Sequence, residues 1–264
     1  MAKLKGVIDF TGLLGGISAY TMKGVEGTVL RRPGGPTKKQ IKNDPNCVNI
    51  RRNNMEFGGR STAASNIRRT MPALHHLADY NFLSELNKLS KPVQYGDKLG
   101  NKGERSVYYS QHRYILNGFN LNRTHPFDTV VRHHISFTID RQNGTATIVL
   151  PQLAAGDNLF LPWAGKQFRF IAALGIANDC VFTGQEYKKD HLNESQAVQI
   201  KTAWEFCNKP YAGETLVLQL KYPERIHEGC SLIASLGIEV ELPYPEQYGS
   251  DFQRIGSAKI LGAG

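Results

Sequence analysis

Long apolar runs are missing: none approaches the roughly 20 residues that cross a bilayer, so neither an integral membrane protein nor a membrane partner is expected. Cysteine is scarce as well. Cys47, Cys180, Cys207 and Cys230 are too few for a disulfide scaffold in 264 residues. No two of them lie about two to four positions apart, the spacing of a structural zinc site. There is no nucleophile-elbow pattern, and no βαβ alternation that would build a parallel nucleotide-binding sheet. The glycine-rich segments lack what phosphate binding requires. Gly12-Leu13-Leu14-Gly15-Gly16 has no lysine and no following helix, and Arg32-Pro33-Gly34-Gly35-Pro36 ends on a proline without an N–H donor. At the amino terminus, Lys3 and Lys5 are followed by Asp9 and several glycines, a poor signal-peptide core, so a non-secretory chain, cytoplasmic at synthesis, is expected.

Other small constellations are weak. His75-His76 and His133-His134 are adjacent pairs whose side chains diverge on a helix or strand, so neither pair shares one ion easily. Glu186, Asp190 and His191 could gather in one loop, but a solvated loop is the simpler reading. Cys47 stands among basic residues that could lower its thiol pKa, although a helix-face cysteine with no role explains it equally. No catalytic residue, metal, cofactor or small-molecule substrate is assigned, and an enzyme is not expected.

What the chain does have is lopsided charge. Residues 1–130 hold 20 Lys+Arg against 9 Asp+Glu, a net of +11, while residues 131–264 hold 12 against 14, a net of −2. Residues 31–70 alone carry 10 basic and 2 acidic side chains. Burying unpaired charge costs several kcal/mol for each group, so this segment must face water or an anionic partner. Nucleic acid, an anionic surface and the acidic half of a neighbouring copy all qualify.

Hydrophobic periodicity gives an α+β class in four parts: an extended glycine-rich arm (1–36), a basic helical segment (37–92), a connection (93–129) and an antiparallel β-sandwich (130–264). In the arm, Ile17–Met22 and Val25–Leu30 flank Lys23-Gly24 as a hairpin. Thr37 and Gln40 have capping-box spacing, and Asp44-Pro45 is a stronger helix start. Ala63, Ile67, Met71, Leu74 and Ala78 recur at helical spacing, extended by Phe82, Leu86 and Leu89, with breaks expected at Gly58-Gly59 and Pro72. From Val131 the period becomes two. Val131–Ile139 and Thr145–Leu150 read as a hairpin turning on Asn143-Gly144, and further strands are expected at Leu159–Leu161, Gln167–Leu174, Cys180–Thr183, Ala197–Cys207, Thr215–Tyr222 and Ser231–Leu242.

The stretch Arg31-Arg32-Pro33-Gly34-Gly35-Pro36-Thr37-Lys38-Lys39-Gln40-Ile41-Lys42-Asn43-Asp44-Pro45, with Arg52-Asn53-Asn54-Met55-Glu56-Phe57-Gly58, resembles the opening of an uncharacterised bacterial family. The resemblance is specific over residues 15–75 and implies a bacterial, non-secretory chain. It implies no activity.

Three functional readings follow. The first is a structural subunit that self-assembles into a ring, tube or filament. Its contacts are Ile17, Tyr20 and Val25 in the arm, with Arg31, Arg32, Lys38, Lys39, Arg51, Arg52, Arg60, Arg68 and Arg69 on a basic face. The second is a nucleic-acid binder using the same cations and Lys42, although Phe57 is the one aromatic in that segment available for base stacking. The third is an enzyme or carbohydrate-binding module on the β-sandwich, with Trp163, Tyr187 and Trp204 stacking on a sugar ring.

Overall fold

The computed structural model describes residues 2–4, 10–22, 25–32, 34–188, 196–241 and 255–264. The chain divides into two compact units, Met1–Arg51 and Arg52–Gly264.

The N-terminal unit is a small antiparallel sheet followed by helical turns. Strands β1 (Ala2–Leu4), β2 (Gly12–Leu14), β3 (Ile17–Met22) and β4 (Val25–Arg31) lie in the order β1-β4-β3-β2. The expected β3–β4 hairpin forms, with its Lys23-Gly24 turn outside the described residues. A second hairpin joins β2 to β3. Leu14 faces Ile17 across Gly15-Gly16, whose φ angles of +53° and +78° are those of a two-residue type I′ turn. Helix α1 (Lys38–Asn43) starts with the expected capping box: Gln40 N donates to Thr37 Oγ1 (3.2 Å) and Thr37 N to Gln40 Oε1 (2.7 Å). The Asp44 carboxylate then accepts from Asn46 N, and a 3₁₀ turn over Pro45–Cys47 leads into α2 (Val48–Arg68).

In the second unit, two twelve-residue strands, β7 (Gln167–Asn178) and β11 (Cys230–Glu241), pair at the centre of an antiparallel sheet. Strand β12 (Gly256–Ala263) flanks β11, and β8 (Ala197–Lys201) and β9 (Glu205–Phe206) flank β7. A three-stranded sheet runs β10 (Glu214–Gln219), β6 (Thr145–Leu150), β5 (Ser136–Asp140). Period-two alternation divides the central strands between two cores. Phe168, Phe170, Ala172, Leu174 and Ile176 pack with Ala146, Ile148, Leu150, Leu216 and Leu218 of the smaller sheet. Ile171, Ala173, Ile233, Ala258 and Ile260 face the other way. They pack with Ala63, Ala64 and Ile67 of α2, with Met71, Leu74 and Leu77 of the next turn, and with Phe82, Leu86 and Val93 of helix α3 (Phe82–Gly96). A sheet covered on both faces explains why β7 and β11 read as almost unbroken apolar runs. The class is α+β with antiparallel sheets.

Several local expectations are corrected. Gly58-Gly59 does not break α2; a Cβ on Gly59 would lie 2.5 Å from the Tyr187 ring, so this glycine serves close packing. Pro72 does end the helical run, opening a separate 3₁₀ turn over Pro72–Leu77. Helix α3 continues to Gly96, beyond the expected end of the helical segment at 92, with Pro92 inside it. The β5–β6 turn is a four-residue connection held by Asp140 Oδ1, which accepts from Gln142 N and Asn143 N. Only Gly144 has positive φ there, so the turn is not type I′. Strand β5 starts at Ser136 rather than Val131, because Val131 N closes the short helix α4 (Phe127–Val130) on Phe127 O (2.8 Å).

Candidate functional site

In the N-terminal unit, residues 10–22 carry no charge, although residues 1–51 hold nine Lys+Arg against three Asp+Glu. The β2–β3 hairpin presents Leu13, Leu14 and Ile17 to solvent at 71%, 64% and 44% exposure. Of the sheet's described side chains only Ala19, Thr28 and Val29 are buried. A Leu-Leu-Gly-Gly-Ile tip therefore stands outside any core of its own unit. Tyr20 lies under the Arg31 guanidinium, 5.8 Å from the ring centre. The Val25 side chain lies outside the described residues. Arg31, Arg32, Lys38, Lys39 and Lys42 are exposed. Asp44 is the one described acidic side chain in this unit, and it is occupied by Asn46 N.

The remaining expected cations are not equivalent. Arg51 is half-buried and its Nη1 donates to Ile41 O (2.8 Å) and Asp44 O (2.9 Å), so it fastens the end of α1. In the second unit, Arg52 packs on the Gly103 loop, where an added Cβ would meet its side chain at 2.9 Å. Arg60 is half-buried, 5.9 Å from the Phe57 ring centre, and its Nε is buried without a partner among the described residues. Arg68 is exposed, and Arg69 donates to Asn66 Oδ1 (2.7 Å). Within α2, Arg51 and Arg69 thus have separate hydrogen-bond partners, while Arg68 is exposed. Cys47 is buried, which removes it from redox or nucleophilic chemistry with large reagents.

Two clusters in the second unit were not legible from sequence. A cleft of about 560 Å³ is lined by Tyr108, Ser110, Gln111, Arg113, Arg141, Asp179, Glu228 and Gly229. Asp179 accepts from Ser110 N (2.9 Å) and Ser110 Oγ (2.5 Å). Burial pushes its carboxyl above the usual range, outweighing those hydrogen bonds and the charges of Arg113 and His227. Arg113 and Arg141 both donate to Cys230 O (3.0 and 3.2 Å), and Arg141 also reaches His227 O and Gly264 O. These donors fasten the start of β11, and the Ser110 hydroxyl donates to the Asp179 carboxylate.

The second cluster joins His76, Glu239, Arg169 and Trp204. His76 Nε2 lies 2.6 Å from Glu239 Oε1, Arg169 Nη2 lies 2.6 Å from Glu239 Oε2, and the Arg169 guanidinium sits 4.2 Å from the Trp204 ring centre. Burial alone would raise the Glu239 carboxyl, but hydrogen bonds and charge from His76 and Arg169 bring it down to about 2. His75 turns instead to Arg68 O at 2.8 Å, so the two imidazoles have different partners. Among the described residues no three His, Cys, Asp or Glu side chains gather as a metal site. Asp190 and His191 lie outside them, and Glu186 serves through its carbonyl, which accepts from Thr183.

The expected stacking aromatics are not brought together. Trp163 packs against the core between the sheets, Tyr187 belongs to the helix-side core and donates to Arg105 O, and Trp204 is covered by Arg169. No described helix is long and apolar enough to cross a membrane. Comparison with family models, curated proteins and solved structures found no match.

Proposed function

We propose that this chain is a structural subunit, not an enzyme, that assembles with copies of itself into a ring, tube or filament through its N-terminal sheet and complementary basic and acidic surfaces. The observation that carries the reading is the hairpin tip: Leu13, Leu14 and Ile17 stand in solvent on a four-stranded sheet with scarcely any core. A sheet this small is marginal alone. Covering its apolar side chains on a neighbour stabilises the assembly by about 25 cal/mol per Å² removed from water. The net of +11 in residues 1–130 against −2 in residues 131–264 supports the same reading, because unlike surfaces of neighbouring copies attract and orient one another.

A nucleic-acid partner is the second reading, favoured by the exposure of Arg31, Arg32, Lys38, Lys39 and Lys42 in a unit with one described carboxylate. Size-exclusion chromatography with light scattering, read at two wavelengths, separates the two. A nucleic-acid-free species of several times 29.4 kDa is expected. A monomer or dimer carrying nucleic acid transfers the assignment to the second reading, and a clean monomer overturns both.

A further inference from the structure

We propose that β2 is a pairing strand that adds antiparallel to β2 of a second copy, with Leu13 opposite Leu13. The inference rests on the self-assembly reading and names one of its contacts.

An exposed strand edge is a template for another chain, and proteins commonly block such edges with charge. Each other edge strand among the described residues carries a charged residue: Lys3 in β1, Asp140 in β5, Lys201 in β8, Glu205 in β9, Glu214 in β10 and Lys259 in β12. β12 is further covered by residues 118–121, through Gly118 N to Ile260 O (3.0 Å) and Leu121 N to Ala258 O (2.8 Å). β2, Gly12-Leu13-Leu14, has no such guard, and it sits in the uncharged stretch 10–22 of a strongly basic unit. Two copies of this unit repel one another wherever their cations meet, so the uncharged edge is where they approach most easily.

The turn fixes the register. In a two-residue hairpin the flanking residues exchange both backbone hydrogen bonds, so Leu14 is committed to Ile17 and, two positions on, Gly12 to Ala19. The residue between them, Leu13, turns its N–H and C=O to the open edge. Pairing two β2 strands about their centres makes Leu13 and its counterpart a hydrogen-bonded pair, with Cα atoms about 5.5 Å apart. Leu14 then lies opposite Gly12 of the second copy, where no side chain obstructs it. Three residues per strand bury far less than the roughly 800 Å² per partner of a stable interface, so this contact works with a second one, and two different contacts per copy propagate an assembly.

The test is Leu13→Cys in the full chain under mild oxidation, with wild type oxidised in parallel as the control for Cys47, Cys180, Cys207 and Cys230. A Cα separation near 5.5 Å suits a disulfide. The expected result is a covalent dimer formed at least about tenfold faster than in wild type, and a lower native mass for Leu13→Lys than for wild type in the same low-salt buffer. Leu13 is 71% exposed, so neither change disturbs folding of the monomer. An unchanged assembly mass for Leu13→Lys, with no cross-link through Leu13→Cys, overturns the β2 contact and leaves self-assembly standing. Wild type that is monomeric at every salt concentration overturns both.

Discussion

The two units invest their apolar residues in opposite ways. In Arg52–Gly264 the central sheet is covered on both faces, and side chains such as Phe168, Phe170, Ile67 and Leu86 are fully buried. In Met1–Arg51 the leucines and isoleucine of the β2–β3 hairpin are the exposed residues, and alanine, threonine and valine are the buried ones. Burial of large apolar groups is the main stabilising term in folding. A unit that leaves them in water either carries a cost or serves a surface, and the absence of charge around these residues favours the second.

The contrast can be broken most strongly in the second unit. Phe170→Ala removes a fully buried ring that packs on Phe168 and Tyr211, and is expected to cost about 3–5 kcal/mol in chemical denaturation. A loss below about 1 kcal/mol would show that this core is not packed as described.

Glu239→Gln is expected to cost about 1.5–3 kcal/mol by weakening its charge-assisted hydrogen bonds to His76 and Arg169. The pH dependence has a definite sign. A carboxyl lowered from its ordinary 4.5 to about 2 contributes stability that is full above pH 4.5 and lost as pH falls through about 2. The gap between wild type and variant therefore closes as pH falls from 4.5 toward 2. A gap that widens on acidification contradicts the assignment.

Adjacent glycines in α2 give a finer test. Gly59→Ala drives a methyl into the Tyr187 ring, which hydrogen bonds to Arg105 and Gln94 hold in place, and is expected to destabilise by about 1–3 kcal/mol. Gly58 has open space, so Gly58→Ala should stabilise by up to about 1 kcal/mol through helix propensity. Equal effects of the two changes on the melting temperature would remove the packing role of Gly59. The smallest effect is expected in the arm. Leu13→Ser should change monomer stability by less than about 0.5 kcal/mol, because its side chain is already in water.

Sequence made local features legible where one segment supplies all the chemistry. The Thr37–Gln40 cap, the β3–β4 hairpin and the apolar stripe through Ala63, Ile67, Met71 and Leu74 are set by neighbours in the chain, and each is present. Gly15-Gly16 invited comparison with a phosphate loop, and its flanking Leu14 and Ile17 were the overlooked sign of a hairpin turn. Gly59 misled because tertiary packing overrides propensity. β12 was missed because its Gly-Ser-Ala-Lys-Ile-Leu-Gly-Ala sequence has no period-two pattern; it is small-residue chain fitted against β11. The Ser110–Asp179 and Glu239–Arg169 groupings join residues about 70 positions apart, and no spacing rule announces them. The separate tasks of the α2 arginines are likewise set by carbonyls and rings that the fold supplies.

The most direct test of the central claim is the native mass of wild type beside a Leu13→Ser, Leu14→Ser, Ile17→Ser triple variant, measured by light scattering across protein concentration. The account expects wild type to form a multimer of the 29.4 kDa chain and the variant, still unfolding cooperatively, to fall to a smaller species. The same multimeric mass for both, or a wild type that stays monomeric at every concentration, would contradict it.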